Sequence, residues 1–203
     1  MRLTRETWTV PPLASLLLLT LVAIPGAAGC DDSDSSGEPA DRPVEPPAGW
    51  RTVTNDDAGL TTAAPRSWTA RTKRAATVLR SGDRLVTITF AVDRRRAGRE
   101  TPVGQYARQT FESLPDLEAS LSASPRRVRG SPYRSARLDG VGRIRTSRRG
   151  QRISVASFRR PGRVTCTAVV FRNPRIDPGF HARAIDRVLS SLRLRPPEGS
   201  LPG

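Results

Sequence analysis

Alternating apolar and polar residues predict β-strands from residue 49 onward. Segment 49–71 contains two short runs rich in Thr and Val around residues 55–57 (Asn-Asp-Asp), which is typical of two strands joined by a turn. A second hairpin is indicated where residues 81–83 (Ser-Gly-Asp) separate two further runs. The second of these runs alternates strictly, so we expect one of its faces to be buried. The residues on that face are Val86, Ile88, Phe90 and Val92.

A later segment repeats apolar residues at helical spacing instead. We expect this helix to begin with Thr101 as its cap and Pro102 at its first position, and to stop at Pro115. Its apolar stripe consists of Val103, Tyr106, Ala107, Phe111 and Leu114. A helix with one apolar face is expected to pack on a sheet.

A second helix is predicted near the end of the chain. Asp177 is expected to cap it and Pro178 to occupy its first turn, while basic residues toward its end complement the helix dipole. Its apolar stripe consists of Phe180, Ala184, Ile185, Val188, Leu189 and Leu192.

Between the two helices the chain returns to β-structure. Residues 134–171 form four strand-like runs separated by turn signals at 139–140 (Asp-Gly), 149–150 (Arg-Gly) and 161–162 (Pro-Gly). Short turns of this kind join antiparallel neighbours, so we expect a meander. The predicted fold is therefore a single α+β domain over residues 49–195, an antiparallel β-sheet flanked by helices.

The first 29 residues have a different pattern, that of an export signal. Arg2 and Arg5 precede an apolar core at residues 13–24, and small residues follow at 27–29. The apolar core is roughly 12 residues, whereas a helix needs about 20 to cross a membrane. We therefore expect this leader to be removed rather than to span the bilayer.

The residue after the small residues is Cys30, and Ala-Ala-Gly-Cys resembles the lipobox of bacterial lipoproteins. In that family the cysteine thiol is acylated and becomes the new N-terminus. Ala27 stands where the family usually has leucine, so a generic cleavage site before Cys30 is the alternative. Two acyl chains would hold the protein stably on the membrane.

The segment that follows Cys30 differs from the domain in the sign of its charge. Residues 31–47 carry six acids, four prolines and no large apolar residue beyond Val44, so residues 30–48 are predicted to be a disordered tether that begins with the lipidated cysteine. Residues 49–195 contain 31 basic and 11 acidic residues, although the whole chain has a net charge of +15. A surface so basic favours anionic partners. Residues 196–203 are expected to form a flexible tail.

Arginine clusters are the candidate contacts for an anionic partner. A basic residue held near an anionic leaflet contributes about 1 kcal/mol, but the same residues could equally be solvated loop charges. Arg143 and Arg145 flank Ile144 and should lie on the sheet face opposite to it. The candidates are Arg94, Arg95, Arg96, Arg126, Arg127, Arg129, Arg143 and Arg145, with further pairs at Arg148, Arg149, Arg159 and Arg160.

A few positions along the domain resemble a known fold family. Trp50, Gly59-Leu60, the Pro65-x-x-Trp68 spacing and the closing helix that ends in "LSSLRLR" are similar to the PsbP-like fold of actinobacterial lipoproteins of the LpqN/LpqT type. The resemblance covers residues 49–195. It implies an antiparallel sheet with helices on its faces, a role in binding or assembly, and no shared catalytic residue.

Nothing in the sequence indicates catalysis, a metal or a cofactor. The motifs of serine hydrolases, zinc proteases, P-loop proteins and redox or zinc-binding cysteine pairs are absent from the sequence. The single histidine, His181, is expected to be a solvated or half-buried helix residue. Cys166 lies on one strand face with Val164, Ala168 and Val170, which predicts a buried, inert thiol.

These patterns together predict an exported, lipid-anchored domain on the outer face of a bacterial cell membrane. We expect a non-catalytic binding module whose partner is an anionic lipid, a wall polymer or an acidic envelope protein. Nucleic acid is not expected, because the protein is exported and few aromatic residues accompany its arginines. One alternative is a small-ligand or carrier protein with a pocket between helix and sheet. A hydrolase with an unrecognised carboxylate pair is another.

Overall fold

The computed structural model describes residues 45–93, 101–114, 117–121, 124–144, 150–161, 164–173 and 178–195. These residues lie in one compact unit, Gly37–Gly203. The predicted leader, Cys30, the tether up to residue 44 and the tail at 196–203 lie outside the described residues. Within the described part, ten strands form two antiparallel sheets and two helices pack against them. The predicted α+β fold class is confirmed.

The small sheet brings together the first two strands of the domain and its last strand. Its strands are β1 (Trp50–Asn55), β2 (Leu60–Pro65) and β10 (Arg193–Leu194), in the order β1-β2-β10. The predicted turn between β1 and β2 is confirmed: the Asn55 side-chain oxygen accepts a hydrogen bond from the Ala58 amide at 3.1 Å. Gly59 follows with φ +58°, a conformation that glycine adopts without strain.

The large sheet contains the remaining strands of the described residues. They are β3 (Thr69–Lys73), β4 (Ala76–Arg80), β5 (Val86–Asp93), β6 (Leu117–Leu121), β7 (Arg134–Ile144), β8 (Gly150–Arg160) and β9 (Val164–Arg172). Their order is β3-β4-β5-β9-β8-β7-β6. The predicted hairpin is β4–β5, and Ser81 stabilises it because its hydroxyl accepts hydrogen bonds from the Leu85 and Val86 amides.

The helices α1 (Val103–Glu112) and α2 (Pro178–Ser190) lie on opposite faces of the large sheet. The alternation of the strands produces two separate cores. Under α1 the buried residues are Ala107, Phe111, Leu138, Ile153 and Val155. The core under α2 and the small sheet includes the predicted β5 face and the predicted α2 stripe from Ala184 to Leu192, among them Ile88, Phe90, Phe158, Val170, Ile185 and Leu189. The side chain of Phe180, the first residue of that stripe, lies outside the described part. The residues of both cores lie between positions 53 and 194.

Two buried polar contacts join the small sheet to its neighbours. The Asn55 amide donates to the Ala76 carbonyl of β4 at 2.9 Å. The Tyr133 hydroxyl accepts a hydrogen bond from the Leu194 amide at 2.8 Å. Since both Asn55 and Tyr133 are buried, these hydrogen bonds fix where β1 and β10 dock.

The turn predicted at residues 139–140 is wrong. β7 runs unbroken from Arg134 to Ile144 and pairs with β8 along its length, so the meander has three strands rather than four. Gly140 is required because no side chain fits at this position. An added Cβ would lie 2.6 Å from Phe111 Cζ of α1 and 2.6 Å from the Ser120 carbonyl oxygen of β6. Gly140 therefore lets α1 and β6 approach a continuous strand.

Two further expectations change. Thr101 does not cap α1; Pro102 occupies the cap position and makes no side-chain hydrogen bond there. Strand β6, which pairs with β7 from Leu117↔Ile144 to Leu121↔Gly140, was not predicted. The predicted cap Asp177 and the predicted stop Pro115 lie outside the described residues, although α2 does begin at the predicted Pro178.

Candidate anion-binding surface

One end of the large sheet, on the side that faces α2, carries arginines that the helix does not cover. Asp139, Val141 and Arg143 alternate along β7 and therefore share this face. Val141 pairs in register with Arg152, and Arg152 pairs with Arg172, so these side chains lie side by side across three strands. Val141 is 53% exposed, a large apolar side chain left open to solvent. We call Arg143, Arg152, Arg172 and Val141 the arginine face.

An ion-pair network borders the arginine face. Arg137 places Nε 3.1 Å from an Asp139 carboxylate oxygen and Nη1 2.6 Å from an Asp186 oxygen of α2. Arg126 also pairs with Asp139. Burial would raise the pKa of Asp139, but the hydrogen bond from Ser154 and the guanidiniums of Arg137 and Arg126 outweigh it and hold that pKa below its ordinary value. The carboxylates of Asp139 and Asp186 are thus already paired with arginines, and Glu118 of β6 stands opposite Arg143 in the strand register.

Arg172 has a buried guanidinium nitrogen without a partner. Its Nε has no hydrogen-bond partner among the described residues. Burial lowers the pKa of its guanidinium and the positive charges of Arg137 and Arg152 lower it further, while the carboxylates of Asp139 and Asp186 act in the opposite direction. Buried N–H groups without a partner are rare, and a guanidinium matches the geometry of carboxylate and phosphate. This end of the sheet is therefore suited to receive an anion.

The structure places the arginines predicted to contact an anionic partner in different environments. Arg94, Arg95, Arg96 and Arg145, with Arg148 and Arg149, lie outside the described residues. Arg127 and Arg129 are exposed on the connection before β7. Arg126 is exposed as well, but Asp139 already neutralises it. Of the predicted eight, Arg143 alone belongs to the arginine face.

The sequence predicts that Arg159 and Arg160 contact an anionic partner or are solvated loop charges, and both predictions are wrong. These residues end β8. Arg160 is buried and its guanidinium donates to the Leu194 carbonyl, while Arg159 donates to the Thr101 carbonyl at 2.5 Å. Arg160 therefore fixes the position of β10, and Arg159 fixes Thr101 just before α1.

A second candidate site is a cavity of about 540 Å³ between α2 and the β1–β2 hairpin. Trp50, Pro65 and Trp68 form its sheet side, together with Ser67. Its helix side consists of Arg183, Ala184, Asp186 and Arg187. The Arg187 guanidinium lies 5.5 Å from the centre of the Trp50 ring, within cation–π range. This cavity corresponds to the alternative expectation of a pocket between helix and sheet.

His181 is more buried than its sequence context suggested. It is 7% exposed, and its Nε2 lies 2.9 Å from an Asp83 oxygen. Ser81 hydrogen-bonds the same carboxylate, which places the acid between hydroxyl and imidazole. In a Ser-His-Asp triad the imidazole contacts the hydroxyl, so these three side chains do not form one. The hydrogen bond from Ser81, aided by the Leu85 amide and His181, lowers the pKa of Asp83 despite its partial burial.

Cys166 is confirmed as a buried residue. Its side chain is fully enclosed with Val164, Ala168 and Val170 in the core under α2. Burial raises the pKa of the thiol well above its ordinary range, so it is not a nucleophile at neutral pH.

The described residues contain no group of three His, Cys, Asp or Glu side chains placed to hold a metal ion. Nor does any helix in this part of the chain combine the length and apolar character needed to span a membrane.

Comparison of the backbone with solved structures identifies the architecture. Cyanobacterial PsbP from Synechocystis sp. PCC 6803 matches with a TM-score of 0.50 at 16% identity, over 73% of this chain and 94% of that protein. The fold is PsbP-like. LpqN, involved in cell envelope biogenesis of Mycobacterium tuberculosis, matches with a TM-score of 0.50 at 13% identity, over 72% of this chain and 91% of that protein. The Saccharomyces cerevisiae Ran-binding protein Mog1p matches with a TM-score of 0.50 at 9% identity, over 71% and 95%.

A structure from Bacteroides thetaiotaomicron also matches, with a TM-score of 0.47 at 12% identity, and the chain spans half of that protein's length. No protein-family model matches the sequence. No curated protein matches it either. At these identities the solved structures establish the PsbP-like fold alone.

Proposed function

We propose that this protein is an exported bacterial envelope lipoprotein, anchored through acylated Cys30, whose PsbP-like domain binds anionic partners without catalysis. The arginine face carries the proposal. Arg172 has a buried N–H without a described partner, and Asp139 and Asp186, the two carboxylates whose charges act on it, are paired with Arg137. Arg152 and Arg172 therefore carry positive charge without an ion pair among the described residues.

The chain before the domain supports a location at the membrane surface. Residues 31–47 would span about 25 Å as a random coil, so an anchored domain stays near the lipid headgroups and is free to turn its arginine face toward them. The acids of this segment would be repelled by an anionic leaflet, whereas the domain would be attracted to it. LpqN, which shares the PsbP-like fold, is described as acting in cell envelope biogenesis, which is consistent with this location.

The partner that these features favour is anionic phospholipid. Exposed Val141 beside Arg143 and Arg152 gives the face an apolar centre with basic neighbours, a combination that suits the interface between headgroups and acyl chains. A wall polymer offers the same negative charge but no apolar layer in which Val141 could be buried.

Vesicle binding tests this part of the proposal. The chain from Asp31 onward, which retains the whole compact unit, should float with phosphatidylglycerol vesicles at low salt, and not with phosphatidylcholine vesicles. Each arginine near an anionic leaflet contributes about 1 kcal/mol, so Arg143→Gln with Arg152→Gln should weaken binding about 30-fold.

Arg108→Gln is the matched control. It removes one charge, as Arg143→Gln and Arg152→Gln each do singly, from exposed Arg108 on α1, on the opposite face of the large sheet. It should change binding less than about twofold, against about fivefold for each of those single variants. Equal losses in Arg108→Gln and in the two single variants would mean that total charge, and not the arginine face, drives binding. Retention on wall polymer or envelope protein instead of vesicles would reassign the partner.

A further inference from the structure

The cavity beside α2 is a second site, and none of the four residues of the arginine face lines it. Its volume of about 540 Å³ lies within the range of about 300–1,000 Å³ that holds small organic ligands. Two indole rings, Trp50 and Trp68, line one side of it, and Ala184 lines the other. An aromatic wall of this kind binds flat rings well.

The aromatic wall is held in place before any ligand arrives. Trp68 is 4% exposed and belongs to the core under α2. Arg51 donates to the Trp68 carbonyl at 2.9 Å, and Arg66 donates to the Trp50 carbonyl at 3.3 Å. The Arg66 amide also donates to the Gly49 carbonyl at 2.9 Å. The two tryptophan backbones are therefore fixed, and a ligand would not have to order them.

The charged residues of the cavity favour an anion. Arg183 has no hydrogen bond or ion pair with any described residue, and Arg187 contacts the Trp50 ring rather than a carboxylate. The acid that lines the cavity, Asp186, is engaged by Arg137 at 2.6 Å. Two guanidiniums spaced four residues apart on α2 are thus available beside an apolar surface.

We propose that this cavity binds a small organic anion with an aromatic or other flat apolar body. The body lies against Trp50 and Trp68, and its carboxylate, sulfonate or phosphate group faces Arg183 and Arg187. The inference goes beyond the proposed envelope function, because it requires neither acylation of Cys30 nor binding to a membrane.

Tryptophan fluorescence reports on this site directly. The chain's three tryptophans are Trp8, Trp50 and Trp68, so the chain from Asp31 onward retains the two that line the cavity. Anilinonaphthalene sulfonate is a suitable probe, and N-phenylnaphthylamine is its uncharged analogue. Titration with the sulfonate should quench the tryptophan emission saturably with a stoichiometry of about one.

Substitution of the guanidiniums should remove the preference for the charged probe. Charge-assisted hydrogen bonds are about twice as strong as neutral ones, so Arg183→Gln should weaken sulfonate binding about tenfold and leave the uncharged analogue unaffected. Arg183 is exposed and unpaired among the described residues, so its replacement should not disturb folding. Arg187→Gln should weaken sulfonate binding similarly, while Arg108→Gln on α1 should affect neither probe.

Three results would overturn the inference. They are equal affinity for the two probes, sulfonate binding that survives both Arg183→Gln and Arg187→Gln, and binding with no change in tryptophan emission. Circular dichroism of each variant shows whether it is folded. The vesicle assay is separate, since Arg143→Gln with Arg152→Gln should not alter probe binding.

Discussion

Replacement of Gly140 by alanine tests whether β7 is the continuous strand that carries the arginine face. A Cβ at this position would lie 2.6 Å from Phe111 Cζ, 2.9 Å from Phe111 Cε2 and 2.6 Å from the Ser120 carbonyl oxygen. Ordinary van der Waals contact begins near 3.4 Å. Gly140 does not adopt a positive φ, so the expected effect comes from crowding and not from backbone strain.

The size of the destabilisation depends on how far the neighbouring atoms can move away from the added methyl group. The Phe111 ring can shift only by disturbing the core under α1, and the Ser120 carbonyl belongs to β6, which pairs with β7 at this point. Overpacking costs typically about 1–3 kcal/mol, and because one obstacle is backbone we expect Gly140→Ala to lower the free energy of unfolding by about 3 kcal/mol. The melting temperature should fall by about 10 °C.

Gly104→Ala is the matched control. Its added Cβ would lie 3.6 Å from the Pro125 side chain, an ordinary contact. Gly104 is within α1, where alanine is favoured over glycine by up to about 1 kcal/mol. The same chemical change should therefore stabilise the protein at one position and destabilise it at the other.

Urea unfolding followed by tryptophan emission measures both variants on a common scale. Trp50 and Trp68 lie with the core under α2, away from both substitutions, so their emission reports global unfolding. If Gly140→Ala were as stable as the wild type within about 0.5 kcal/mol, a chain reversal at residues 139–140 would be the better description and β7 would not be continuous.

Three further substitutions test the polar interior of the large sheet. Asp139 has a lowered pKa in the folded protein, so the stability it confers is present above its ordinary pKa of 3.8 and is lost as the pH falls through the lowered value. Asp139→Asn should cost about 2 kcal/mol at pH 7, a loss that shrinks toward pH 3 in urea unfolding; a deficit independent of pH would contradict this reasoning. The buried hydroxyl of Ser157 has no described partner, so Ser157→Ala should be neutral or stabilising by up to about 1 kcal/mol. Ser154→Ala, which removes a hydrogen bond to Asp139, should destabilise, and the opposite ranking of these two serine variants in thermal melts would refute the hydrogen-bond assignment.

Local periodicity was sufficient to predict the elements whose faces are strongly apolar. The alternation in β5 from Val86 to Val92 and the helical stripe of α2 from Ala184 to Leu192 both match the observed core. These patterns succeed because burial of a whole face dominates the energy of such segments. The two flanking turns, at Asn55 and at Ser81, were also predicted, since their side chains bond their own backbone.

Errors arose where tertiary contacts decide the outcome. An Asp-Gly pair is locally a turn signal, but Gly140 is required by Phe111, which lies far away in sequence. Among the described strands β6 pairs with β7 alone, and strand propensity depends on such cross-strand context more than on the local sequence.

The candidate sites could be predicted even less well from the sequence, because their residues meet only through strand pairing and tertiary packing. Arg152 and Arg172 become neighbours only through the pairing of β8 with β9. A closer signal existed in the sequence, because Arg152 and Ser154 alternate with Ile153 and Val155 and thereby predict a polar row beside a buried one. In the cavity, Trp50 and Trp68 approach Arg183 and Arg187 through packing that no local pattern shows.

The proposed anchor is the claim on which the envelope function rests, and the mass of the N-terminal peptide from the membrane fraction tests it most directly. We expect the mature protein to begin at Cys30 and to carry a diacylglyceryl group on the thiol. A protein that retains its leader, or a mature form whose Cys30 thiol is unmodified and which is released from the membrane by buffer, would contradict the account.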